Sequence, residues 1–227
     1  MREEVIIFVN GIMNFPGDAR GWTGRAITHT HLNSKCYGNP LWAEDYSYFT
    51  IPLARHIDQQ WRAERIAKKV NFYMTGGWKV HLVGHSNGCD IILRCLNVLA
   101  GQPNDCSIES VHLISAACEA DFEKNGLNAF CDRGFVKHLF VYIAGSDWAM
   151  ALAYYTQKFL RFLGLGFGSL GRTGPIRNVM ISGGVHVEPD YGHSTWFNDN
   201  NLKTTMERII TNTKGRHATT IPMRLAA

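Results

Sequence analysis

Five short apolar runs dictate what this chain can fold into: Val5–Val9, Tyr46–Ile51, Val80–Val83, Val111–Ile114 and Leu139–Ile143. Each is rich in β-branched or aromatic residues, as expected of a strand covered on both faces. A sixth, weaker run covers Val179–Ile181. Helical patterns lie between most of them. Leu53–Met74 carries Ile57, Trp61, Ile66, Val70 and Tyr73 at spacings of three to five. Asp90–Ala100 carries Ile91, Ile92, Leu96 and Leu99, Ala149–Leu163 is apolar almost all round, and Leu202–Ile210 follows the last run. Alternating strands and helices predict an α/β domain: a mostly parallel sheet of about six strands, right-handed crossovers, and helices on the faces.

A chain of 227 residues suffices for one such domain, expected over 1–213, with a loose tail over 214–227. The formal charge of +4 is too small, and its Lys and Arg too scattered, to indicate a nucleic-acid partner. The one dense cluster, Arg62 to Lys69, includes Glu64 and falls on a helix, where it reads as a solvated face. No apolar run approaches the ~20 residues of a membrane span, so no stable membrane insertion is expected. The first apolar run is too short for a signal segment and no small-residue cleavage site follows it, which favours the cytoplasm. Six cysteines are present without a CxxC pair, and in a reducing compartment they read as buried thiols. Cys89 and Cys95, on one helix, lie about 240° apart around its axis and cannot bridge each other.

The chemistry is concentrated at Gly84-His85-Ser86-Asn87-Gly88, directly after one strand and before a helix. In that context the Gly-x-Ser-x-Gly pattern makes a sharp turn that holds the serine in a strained conformation and lifts its hydroxyl above the sheet. Small neighbours are needed because flanking backbone passes close by, and the helix N-terminus favours developing negative charge. The plainer use of a serine here is as a helix cap.

At these residues the chain resembles the α/β-hydrolase superfamily, in particular its small lipase- and esterase-like members, from Val5 to about Ile210. The resemblance implies a reduced sheet without the N-terminal antiparallel hairpin. It implies the order nucleophile, acid, histidine: Ser86, then Asp147, then His193. Asp147 follows the run Leu139–Ile143, at the end of a strand. Asp121, after the preceding strand, is the rival acid. His193 precedes the last helix, whereas His186, between Val185 and Val187, looks like a strand residue. His193 would take the Ser86 proton, with Asp147 orienting its ring. The oxyanion hole would use the backbone N–H of Asn87 and a donor from the loop after the first strand, Ile12, with Gly11 allowing the turn. Asn10 stands where the family often has histidine. Gly11, Met13, His85 and Trp148 would border the substrate. No cofactor and no metal are implied.

The remaining motifs carry less. Gly166 to Gly171 matches a dinucleotide fingerprint, but a helix precedes it and Pro175 lies close behind. His29 and His31 lack a neighbouring ligand at metal spacing. The long segment Met13–Asp45 and the segment Ala149–Pro175, glycine-rich from Gly164, are expected to border the site. The partner expected is a small-molecule or lipid-like ester; amide hydrolysis, acyl transfer and a non-catalytic binding module of the same fold remain as alternatives.

Overall fold

The computed structural model describes residues 4–11, 22, 25–26, 42–44, 52–102, 107–152, 155, 168–176 and 182–213. Six strands form one sheet: β1 (Glu4–Val9), β2 (Trp42–Glu44), β3 (Lys79–His85), β4 (Ile108–Ile114), β5 (Val136–Ala144) and β6 (Gly183–Glu188). Their order is β2-β1-β3-β4-β5-β6 and every pair is parallel. Four of the expected runs are β1, β3, β4 and β5, each a residue to a few longer than its apolar centre. The other two, Tyr46–Ile51 and Val179–Ile181, lie outside the described residues, as does 214–227. The strand found near the latter is β6, which contains His186.

The helices are α1 (Pro52–Thr75), α2 (Gly88–Ala100), α3 (Leu127–Asp132), α4 (Leu170–Thr173) and α5 (Leu202–Thr213). Successive residues of a strand face opposite sides of the sheet. Val5, Ile7 and Val9 therefore pack with Ile66 and Val70 of α1 and with Ile92 and Leu96 of α2, while Ile6 and Phe8 pack with Met206 and Ile209 of α5 and with Trp22. This split gives two buried layers. It follows from right-handed crossovers: the connections that move across the sheet in opposite directions fall on opposite faces. The chain turns back between β1 and β3, and open α/β sheets bind ligands at the carboxyl ends of strands at such a reversal.

Some details depart from the periodicity. Trp61 is exposed on α1, with the Arg65 guanidinium 5.2 Å above its ring, and does not join the core. Arg62 is buried, whereas Arg65, Lys68 and Lys69 form the expected solvated face. Cys89, Cys95 and Cys118 are buried free thiols, and Cys131 is partly exposed. Burial pushes all four thiols up, Cys131 to about 11, so none is a ready thiolate. Among the described residues no helix is long and apolar enough to cross a membrane, and no cluster of possible metal ligands occurs.

A polar chain crosses the buried sheet. The Asn212 amide of α5 donates to the Tyr142 hydroxyl at 3.0 Å, leaving the Tyr142 hydrogen for His112 Nδ1, also at 3.0 Å. Burial holds His112 well below the usual histidine range, so it is neutral and keeps one hydrogen, on Nε2, for Ser110 Oγ at 3.0 Å. Ser110 then donates to His81 Nδ1 at 2.7 Å. His81 Nε2 ends the chain 3.7 Å from Glu4, whose carboxyl His81 holds below the usual carboxylate range despite burial. From Asn212 to His81 Nδ1 each donor faces an acceptor in one direction, which ties α5 to β5, β4 and β3 in a single register, while His81 Nε2 makes only the longer approach to Glu4.

Candidate active site

Ser86 follows β3 directly and has φ +55°, a left-handed conformation that only a few per cent of non-glycine residues adopt. Its backbone is held by three hydrogen bonds: its N–H donates to Ile114 O at 2.9 Å, and its carbonyl accepts from Cys89 N at 3.1 Å and Ala117 N at 3.0 Å. Both motif glycines are sites of close approach. A Cβ on Gly88 would lie 2.3 Å from Val9 O, and one on Gly84 would lie 2.8 Å from Ile92 Cδ1. Gly11, at the end of β1, faces the serine itself: its Cβ would sit 2.7 Å from Ser86 Cβ and 3.1 Å from Ser86 Oγ.

Two residues distant in sequence meet Ser86. His193 Nε2 lies 2.9 Å from Ser86 Oγ, and His193 Nδ1 lies 2.7 Å from Asp147 Oδ2. The Asp147 side chain is fully buried and that of His193 is 22% exposed, so one end of the row is dry and the other is open. Asp147 Oδ1 accepts the Met150 N–H at 2.9 Å, fixing the carboxylate at the start of the helical residues 148–152. The rival residues lie elsewhere. Asp121 accepts from Glu123 N and lies 3.6 Å from Lys124 Nζ, in its own turn. His186 stacks on Tyr142 and meets Asn212.

Other candidates fall at varied distances from this row. The Asn87 N–H, next to the serine, takes part in none of the backbone hydrogen bonds among the described residues. The Gly11 N–H is occupied by Asn10 Oδ1 at 2.8 Å. Ile12 and Met13 lie outside the described residues, as do His29 and His31. Trp148 is 73% exposed beside Asp147. His85, expected to border the substrate, is instead 6% exposed and turned toward His193, its Nε2 2.9 Å from the His193 carbonyl oxygen. Burial, reinforced by His193, pushes the His85 imidazole down to about 3.

Several supporting residues escaped the sequence reading. Gln59 Nε2 donates to Asn87 Oδ1 at 2.9 Å and steadies the turn. It precedes Ala63 and Ile66 by four and seven residues, so a polar residue on an apolar helical stripe was the legible signal. Trp22 Nε1 donates to Asn10 Oδ1 at 2.6 Å, and nothing local marks it. Arg172 Nη1 donates to the Asp147 carbonyl at 3.2 Å. The glycine-rich segment is explained by backbone contact: a Cβ on Gly168 would lie 1.7 Å from Cys118 C, and one on Gly171 would lie 2.1 Å from Ala116 N. Gly168 and Gly171 let α4 lie against the chain leaving β4, while Gly166 lies outside the described residues.

No protein-family model matches the chain, and no curated protein matches it. Solved structures do. A protein assigned as a hydrolase from Agrobacterium vitis S4 superposes with a TM-score of 0.53 at 14% identity, covering 93% of this chain and 88% of that one. The phospholipase PlaB of Legionella pneumophila gives 0.52 at 14% identity over 93% of this chain and 57% of that one. Zea mays acyl-protein thioesterase 2 gives 0.50 at 12% identity over 93% and 94%. At these identities the likeness is one of fold. What the chain shares with these three proteins is their α/β fold, here an all-parallel sheet with its reversal between β1 and β3.

Proposed function

We propose that the protein hydrolyses carboxylic esters through an acyl-enzyme on Ser86, with His193 as general base and acid and Asp147 as its orienting carboxylate. The observation that carries this reading is the unbroken row Asp147–His193–Ser86, at 2.7 and 2.9 Å, converging from three separate loops. Both distances lie within the range expected of a competent nucleophile–base pair. His193 Nε2 takes the Ser86 proton as Oγ bonds to the ester carbonyl carbon. The oxyanion is met by the Asn87 N–H and by a second donor after Gly11. With the Gly11 N–H engaged by Asn10, Ile12 is the donor we assign there. Collapse breaks the ester C–O bond, and His193 returns the proton to the leaving alcohol. Water, activated by the same imidazole, releases the acid and restores Ser86.

The substrate we infer is an ester with an apolar acyl group. Trp148, Leu152 and Tyr155 are exposed at a spacing of four and three residues along the turn that leaves Asp147. Two fold neighbours, a thioesterase and a phospholipase by name, support an acyl bond as the target.

A fluorophosphonate probe tests the reading. Wild-type protein should be labelled, while Ser86→Ala and His193→Ala should not. A folded wild-type sample that resists labelling would refute it. A series of p-nitrophenyl esters should then show kcat/KM rising from acetate to longer acyl chains.

A further inference from the structure

His85 is buried, titratable and one residue from the nucleophile, yet no step of the reaction uses it. Its ring is held against His193 at 4.9 Å between centroids, Phe197 at 5.1 Å and Trp22 at 6.1 Å. Being neutral, it has a single N–H. Its Nε2 faces a carbonyl oxygen, which can only accept, so the hydrogen sits on Nε2 and His85 donates to the backbone of His193. The same ring group reaches the other side of the site. Trp22 stacks on Phe197 at 3.9 Å and donates to Asn10 Oδ1, the atom that also holds the Gly11 N–H.

We infer that His85 is a positioning residue: its Nε2–H bond to the His193 carbonyl holds the base in line with Ser86, and its ring ties the His193 loop through Phe197 and Trp22 to Asn10 and Gly11. The inference rests on the reading of Ser86 and His193 given above. The bond joins residues 108 apart in sequence, so it fixes the turn carrying the nucleophile against the loop carrying the base. It leaves the reacting atoms untouched. Its effect is therefore on alignment, to which such a row is sensitive: a displacement of ~1 Å costs about a hundredfold in rate.

The test compares His85→Phe, which keeps a ring but no donor, with His85→Gln, whose amide nitrogen falls near the imidazole Nε2. His85→Asn keeps an amide too short to reach. Turnover of p-nitrophenyl acetate by Phe and Asn should fall about 10- to 100-fold in kcat with KM changed by less than about threefold. Gln should recover most of the loss. Wild-type turnover by the Phe variant would overturn the inference. So would Phe, Asn and Gln variants equally slow, the pattern of simple mispacking. If the Phe variant does not fold, judged by thermal melting, the Asn–Gln contrast decides in the same terms. Failure of the underlying reading looks different: wild type itself would resist the fluorophosphonate, and Ser86→Ala would turn over the ester.

Discussion

Gly11→Ala should damage activity far more than stability. The added Cβ would sit 2.7 Å from Ser86 Cβ, 3.0 Å from His85 O and 3.1 Å from Ser86 Oγ. Carbon atoms in contact prefer at least about 3.5 Å, so a gap of about 0.8 Å must open between residues 11 and 86. On the Ser86 side the backbone is pinned by three hydrogen bonds, and on the other β1 pairs with β3 along its length. The displacement is therefore shared by Ser86 Oγ, which then loses its 2.9 Å contact with His193. A shift approaching 1 Å in such a row corresponds to about a hundredfold loss of kcat/KM, or roughly 2.7 kcal/mol of transition-state stabilisation. Overpacking a single methyl should lower the unfolding free energy by about 1–3 kcal/mol. The assay is p-nitrophenyl acetate hydrolysis with fluorophosphonate labelling rates, beside a urea titration of each variant. Gly77→Ala is the control: φ there is +81° with open space around it, so it should cost about 1–2 kcal/mol of stability and leave turnover intact. Activity of Gly11→Ala within about threefold of wild type would show that this glycine does not set the serine's position, and the steric reasoning would fail.

Asp147→Asn should reduce kcat by about three to four orders of magnitude, whereas Asp121→Asn should remain near wild type; the reverse ranking in steady-state kinetics would exchange their roles. His85 and His112 are buried and neutral, with folded-state pKa values depressed from 6.5, His85 to about 3. The unfolded chain thus binds more protons than the native one as pH falls below 6.5. The stability these histidines contribute is complete above pH 6.5 and is lost as pH falls below it, down to about 3 for His85, at up to about 1.4 kcal/mol per pH unit for each. Denaturant titrations at pH 8, 6 and 5 should show that decline, and a flat profile down to pH 5 would count against it. Tyr142→Phe strips the hydroxyl shared by His112 and Asn212 and should cost about 1–3 kcal/mol in thermal or urea unfolding while sparing the esterase rate.

Legibility in the sequence followed the range of the forces involved. The runs Val5–Val9, Val80–Val83, Val111–Ile114 and Leu139–Ile143 were visible because a strand covered on both faces must be apolar at every position. Serine at the strand–helix turn was visible because its glycines are demanded by backbone contact within the same turn. Asp147 and His193 were readable through the resemblance and through their positions after β5 and β6. The strand Gly183–Glu188 was obscured by its own composition: two glycines and a histidine at its centre replace the β-branched run, since one face meets the polar Asn212 and Tyr142 rather than an apolar layer. Trp61 misled because helical spacing alone does not say whether a large ring at the edge of the stripe finds a partner. His85 was legible in part. Its place beside the serine pointed to the site, but the contacts with Trp22 and Phe197, far away in sequence, and the bond to the His193 carbonyl are visible only in the structure.

Why the row stands aligned before any substrate arrives can be argued from the anchors of each loop. The left-handed Ser86 costs about 1–3 kcal/mol, and the three backbone bonds to Ile114, Cys89 and Ala117, at about 1 kcal/mol net each, offset it. The His193 loop is held more broadly. Tyr191 O accepts the Ser146 N–H next to Asp147, Gly192 N–H donates to Thr195 Oγ1, and the His193 carbonyl takes the His85 donor. Three residues on, Trp196 Nε1 donates to Ser115 Oγ, and its carbonyl accepts the Thr205 hydroxyl of α5. Ser115 is itself left-handed, at φ +43°, one strand over from Ser86 and in the equivalent place after β4. The two strained serines therefore act as a pair: one presents its hydroxyl upward to His193, the other takes the indole that seats the loop His193 comes from. Strain at both positions is tolerated because each is bonded to the next strand, Ser86 to Ile114 and Ser115 to Tyr142, so that relaxing either would break the end of the sheet on which the whole row rests.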